Sequence, residues 1–182
     1  MDLLPLNAPA SREQALVRLR GRGVAAWYRG WRRGPLAGVR PVQVPYRLFE
    51  VRISNAGRLD RRWLAIDAVS GVLDCYGFPA PPDAGALERS ADAGALPEVV
   101  APERLRGEVI ERVRRQVYAT GFFRLRGLRI EVDDTRRVLY LPYWVGVRRK
   151  GDRHASIEVL GGLRGSREGG KLKDLIATWL AA

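Results

Sequence analysis

The chain has 182 residues and a formal net charge of +12, with 46% hydrophobic and 29% charged residues. That balance belongs to one or two folded domains and excludes an intrinsically disordered chain. One Cys and one His exclude a disulfide framework, a Cys-based zinc site and a multi-His metal centre.

At the N-terminus, Asp2 sits where a signal peptide carries its basic segment. The longest apolar stretch, Val138 to Val147, is too short to span a bilayer as a helix. The expectation is a cytoplasmic protein with no membrane span, and Cys75 as a reduced thiol fits it. Ser11-Arg12-Glu13-Gln14 has the S-x-x-Q form of a capping box. The helix it opens would place Ala15, Leu16, Leu19 and Val24 on one face, and Gly21 and Gly23 would stop or loosen it. Next comes Trp27-Tyr28-Arg29-Gly30-Trp31-Arg32-Arg33, which interleaves aromatics with arginine.

Val44-Pro45-Tyr46 then leads into an alternating run, Leu48 to Ile53. A turn at Ser54-Asn55-Ala56-Gly57 and a second run, Trp63 to Gly71, follow. Alternation around a Gly-containing turn reads as an antiparallel hairpin. Residues 79–101 read as an acidic linker rich in Pro, Ala and Gly. Pro79, Pro81, Pro82 and Pro97 break regular structure. Asp83-Ala84-Gly85-Ala86-Leu87 recurs as Asp92-Ala93-Gly94-Ala95-Leu96, an echo expected to stay exposed.

Pro102 suits a first helical position. Leu105, Val109, Val113 and Val117 follow every fourth residue with Ile110 beside them, and Gly121 would end that helix. Leu125 to Val132 reads as a strand, and Asp133-Asp134-Thr135 as a turn after it. Leu141-Pro142-Tyr143 opens a second alternating run, Trp144 to Arg148. A turn at Lys150-Gly151-Asp152 joins it to His154–Gly162. Leu172, Leu175, Ile176, Trp179 and Leu180 at i, i+3, i+4, i+7, i+8 predict a C-terminal amphipathic helix docked on the core.

The halves match. Val44-Pro45-Tyr46 corresponds to Leu141-Pro142-Tyr143, and Asp67-x-x-x-Gly71 to Glu158-x-x-x-Gly162, which gives the first hairpin six extra loop residues. Internal duplication is the simplest explanation. The expected architecture is α+β: two tandem repeats, 1–78 and 102–182, each a helix packed on an antiparallel sheet, joined by the 79–101 linker. This helix–strand–hairpin unit, ending in Asp67-Ala-Val-Ser-Gly71-Val72-Leu73, resembles the PepSY domain family. The resemblance covers about two-thirds of the chain as two copies, with Glu158 in place of the Asp in the second. It implies a small α+β unit that binds protein, in some members as a peptidase-regulating segment, and no catalytic residues.

The charge is uneven. Net charge is +6 over residues 1–40, +1 over 41–78, −4 over 79–103, +8 over 104–150 and +1 over 151–182. A GC-rich coding sequence explains why Arg outnumbers Lys by 29 to 3, but not why acids number only 20. Two basic segments point to an anionic partner. Aromatic rings stack on unpaired bases while arginines hold phosphates. The candidate nucleic-acid contacts are therefore Trp27, Arg29, Trp31, Arg32, Arg33, Arg112, Arg115, Arg124 and Arg126. The second basic-aromatic stretch runs through Tyr118, Phe122, Phe123, Arg124, Arg126 and Arg129. Against this, the rings would fill the core while the guanidinium heads reach water, and the arginines at 112, 114 and 115 would be one solvated helix face.

Other motifs carry less. Gly165-Ser-Arg-Glu-Gly-Gly170-Lys171 fits G-x-x-x-x-G-K, but Leu172 stands where Mg²⁺ coordination needs a hydroxyl. Ser166 lacks a G-x-S-x-G elbow, and His154 reads as a strand-surface residue. Cys75, with no nearby basic cluster, reads as a small buried residue. No catalytic constellation, metal or cofactor is expected. The first expectation is a non-catalytic binding module for an anionic partner, RNA or DNA. The alternative is a PepSY-like protein-interaction or peptidase-regulating module. A bare sheet edge would also allow a homodimer.

Overall fold

The computed structural model describes residues 10–55, 57–83, 85, 87–119, 127–150, 154–163 and 165–181, without the side chains of 25, 29, 154 and 155. Among these, four helices and six strands make an α+β fold. In chain order they are α1 (Arg12–Arg20), α2 (Gly23–Arg33), β1 (Leu36–Asn55), β2 (Arg58–Asp67), β3 (Tyr76–Phe78), β4 (Gly94–Ala95), α3 (Pro102–Ala119), β5 (Arg129–Lys150), β6 (His154–Gly161) and α4 (Gly170–Ala181). The sheet order is β3-β2-β1-β5-β6, with β4 beside β1. The β1–β2, β2–β3 and β5–β6 pairs are antiparallel; β1–β4 is parallel. No described helix is long and apolar enough to cross a membrane.

The described chain forms two compact units, each built from separated segments. The first takes 44–88 and 97–140; the second takes 10–43, 89–96 and 141–181. In the first unit, Leu105, Val109 and Val113 of α3 pack on Phe49, Val51 and Ile53 of β1 and Leu64 and Ile66 of β2. The fourfold spacing puts the α3 side chains on one stripe, and alternation puts the strand residues on one face. In the second unit, Ala15 and Leu19 of α1 are fully buried with Leu160 of β6. Leu172 and Ile176 of α4 are also buried, and Leu175, Trp179 and Leu180 are half-buried.

The expected capping box is present: Ser11 Oγ accepts from Gln14 N–H and Gln14 Oε1 from Ser11 N–H, both at 3.2 Å. Three expectations are corrected. First, Val24 belongs to α2 rather than to the buried face of α1, because Gly21 caps α1 and a new helix starts at Gly23. Second, Asp133-Asp134-Thr135 is no turn; β5 runs through it as a 22-residue strand. Arg136 takes a left-handed φ of 59°, and its N–H donates to Asp134 Oδ1 at 2.8 Å. Third, Leu87 and Leu96 of the echo are buried, at 5% and 3% exposure, although Asp83 and Asp92 are exposed. Leu87 O accepts from Tyr140 N–H at 2.8 Å, and Leu96 N–H donates to Gln43 O at 3.0 Å.

The hairpin registers also differ from the sequence alignment. Tyr46 pairs with Asp67, but Tyr143 pairs with Gly161 rather than with Glu158. The two acids accordingly do different work. Asp67 is fully buried, and its carboxylate accepts from the N–H groups of Ser70, Gly71 and Leu73 at 2.6, 3.0 and 2.8 Å. Glu158 instead pairs with the buried Arg148 at 3.0 Å.

Candidate functional site

The second unit carries a helix that faces the wrong way for a core. On α2 the apolar residues Val24, Trp27, Tyr28 and Trp31 stand at i, i+3, i+4 and i+7, which defines one stripe. That stripe points to water: exposure is 81%, 70%, 47% and 65% respectively. The small residues Ala26 and Gly30 are the half-buried ones, and no α2 residue with a described side chain is buried. Trp27, Tyr28 and Trp31 therefore do not fill the core, which overturns the packing reading for this stretch.

Local chemistry explains why α2 forms and stays. Gly23 enters with φ 66° and Gly34 closes it with φ 83°, its N–H donating to Gly30 O at 2.9 Å. A Cβ at Gly34 would overlap the backbone carbonyl of Arg149, so only glycine fits there. The buried Arg148 ties the helix pair down. It donates to Leu19 O at 2.7 Å, to Gly34 O at 3.2 Å and to Glu158 Oε1 at 3.0 Å. Arg33 reaches the same Glu158 oxygen at 3.4 Å while staying half in water.

The aromatic stripe is set among cations. Arg22, Arg32 and Arg33 are exposed on or beside α2. Lys150 Nζ stands 5.6 Å from the Trp31 ring centroid, and the Tyr28 and Trp31 centroids are 6.1 Å apart at 39°. From Gln14 to Phe49 the sequence holds eight arginines and no Asp or Glu. Nothing in that stretch neutralises the face.

The predicted site residues separate into three groups. Trp27, Arg29, Trp31, Arg32 and Arg33 share α2 in the second unit, with the Arg29 side chain outside the described residues. Arg112 and Arg115 lie on α3 in the first unit. Arg124 and Arg126, with Phe122 and Phe123, lie outside the described residues. Arg115 is exposed, its Nε donating to Glu111 O at 3.3 Å. Arg112 does not belong to a solvated face: it donates to Leu73 O at 2.8 Å and Gly71 O at 2.9 Å, pinning the Asp67 turn. Val24, Tyr28 and Lys150 also belong to this face, though none is among the contacts expected from sequence. The i, i+3, i+4, i+7 spacing from Val24 was the available signal.

The remaining motifs take structural roles. In the Gly-rich loop, Gly165 N–H donates to Gly161 O at 2.7 Å, and Glu168 N–H to Val159 O at 3.0 Å. Gly165 O accepts from Arg18 at 2.8 Å. Those N–H groups are committed to the fold instead of to a phosphate. Cys75 does have a basic neighbour, Arg112, but burial outweighs it and pushes the thiol up to about 11. His154 opens β6, opposite Lys150. Among the described residues no cluster of three or more His, Cys, Asp or Glu is placed to hold a metal. No protein-family model, curated protein or solved structure matches this chain.

Proposed function

We propose that this chain is a non-catalytic binding module for an anionic partner, RNA or DNA, with α2 as its contact surface. One observation carries the reading: an arginine-flanked helix turns its large rings outward. Burying a large apolar side chain contributes ~1.5–3 kcal/mol. A fold that leaves two tryptophans and a tyrosine in water on one stripe forgoes that stabilisation several times over. Such a patch marks a recognition surface. The surrounding arginines repel cationic partners and draw anionic ones. The contacts assigned to α2 are Trp27, Arg29, Trp31, Arg32 and Arg33. Arg115, Arg124 and Arg126 extend the proposal to the second basic segment. Arg112 enters it only as the pin of the Asp67 turn.

The test is fluorescence anisotropy of labelled RNA and DNA titrated with protein at two salt concentrations. Binding through phosphates falls steeply with salt, with a log–log slope close to the number of phosphates neutralised. An absence of binding to every nucleic acid at low salt removes this reading.

A duplicated origin is the second proposal, and with it the PepSY-like protein-interaction module. It is supported by a shared hydrogen bond. Pro45 O accepts from Ala68 N–H at 2.9 Å, and Pro142 O accepts from Gly162 N–H at 2.8 Å. This equates Asp67 with Gly161 and makes the hairpins differ by three residues. A protein ligand whose affinity ignores salt, together with no affinity for nucleic acid, is the result that favours it.

A further inference from the structure

The composition and spacing of the α2 face go further than charge, and this step rests on the nucleic-acid reading above. We infer that α2 is a stacking platform for unpaired bases, so that the chain binds single-stranded nucleic acid with little sequence preference and duplex only weakly.

Three of the four exposed large hydrophobic side chains on α2 are aromatic rings. Trp27 and Trp31 are four residues apart, ~6 Å along a helix axis. That is close to two nucleotide intervals of ~3.4 Å, the separation needed for one base between two rings. Lys150 and the exposed Arg32 and Arg33 supply cations beside the rings for the flanking phosphates. The bases of a duplex are already stacked on each other and must be unpaired before a ring reaches their faces. Reading base edges in a groove calls for bidentate Asn, Gln or Arg contacts. Gly23–Arg33 has arginine for guanine but no Asn, Gln, Ser, Thr, Asp or Glu to read the other bases. Stacking, by contrast, tolerates any sequence because every base has a π-face.

An anionic bilayer is the competing occupant, since short amphipathic helices with basic flanks also lie on membranes. The stripe argues against it. Its two tryptophans suit the headgroup boundary, but its only aliphatic member is Val24, and it holds no Leu, Ile, Met or Phe to enter the acyl region.

The experiment compares labelled oligouridylate, oligothymidylate and a duplex of the same length, with phosphatidylserine vesicles as a further arm. The variants are Trp27→Leu/Trp31→Leu, which keeps apolar area but removes the rings, and Trp27→Phe/Trp31→Phe, which keeps them. The expected result is tighter binding to single strands than to duplex. The leucine pair should lose roughly tenfold per ring in single-strand affinity, with the salt slope unchanged. The phenylalanine pair should restore most of it. Equal affinity for duplex, or leucine variants that bind like the parent, overturns the stacking inference and leaves the nucleic-acid reading standing. Vesicle binding with no affinity for any nucleic acid overturns both. The circular dichroism of each variant checks that these exposed substitutions leave the fold intact.

Discussion

Single residues here decide local structure through their environment more than through their type. Asp67, at the end of β2, and Glu158, within β6, are both buried acids. One caps a turn with three backbone donors; the other neutralises an arginine. Cys75 shows the same dependence. Burial penalises its thiolate, and the nearby Arg112 only partly offsets this, leaving the thiol up at about 11. Its charged form is disfavoured in the fold, so the stability it contributes is whole below the unfolded thiol value, near 9, and is lost as pH rises through about 11. At pH 8 the folded protein should therefore resist alkylation by iodoacetamide. The same thiol should react readily once urea unfolds the chain, because the unfolded Cys regains its ordinary thiolate fraction. Equal rates in both states would show that Arg112 prevails over burial.

Elements are held by a few connections each, and α2 depends on Arg148. This guanidinium, 3% exposed, joins the last turn of α1, the cap of α2 and Glu158 of β6. Removing one member of a buried ion pair leaves an uncompensated charge and costs about 3–5 kcal/mol. Arg148→Met alone should lower the urea unfolding free energy by about that amount. Adding Glu158→Leu should recover most of it, since two apolar residues replace two charges. The paired variant would still lack the donors to Leu19 O and Gly34 O. Its α1–α2 segment should therefore exchange amide hydrogen faster than in the parent. A single variant as stable as the parent would mean that Glu158 is neutralised by Arg33 and Arg167 alone, which approach it at 3.4 and 3.5 Å.

At the scale of the whole molecule, segments distant in the chain complete each unit. Residues 79–101 show this, for they contribute Leu87 to one unit and Leu96 to the other. A Leu→Ala change at a buried position costs about 2–5 kcal/mol. Leu87→Ala and Leu96→Ala should each reduce stability measurably in urea, toward the low end because each lies in a short docked segment. A passive connector would tolerate both without effect.

Much of the fold was legible from periodicity. The α3 stripe of Leu105, Val109 and Val113, the α4 stripe of Leu172 and Ile176, the Ser11 capping box and both hairpins follow from spacings of two or of three to four residues. These patterns hold within one element, so the chain displays them directly. The candidate site was half legible. The Trp27–Arg33 composition drew attention to the right residues, but periodicity alone does not say whether an apolar stripe faces a core or water. That orientation is set by what covers it. Arg148 ties the end of α2 through Gly34 O and the end of α1 through Leu19 O, and both contacts cross more than a hundred positions of sequence. The continuity of Arg129–Val132 with Leu141–Arg148 in one strand was also hidden, since Asp133-Asp134 has turn chemistry that the continuing β5 strand overrides. By itself, then, the sequence determined α1, α3, α4 and the two hairpins, which side of each is apolar, and the excess of positive charge, all of which are local or additive properties. Only the tertiary structure decided which arginines are spent on carbonyls, which leucines of the acidic segment are covered, and that three rings of α2 remain in water, because those outcomes depend on neighbours brought together by folding.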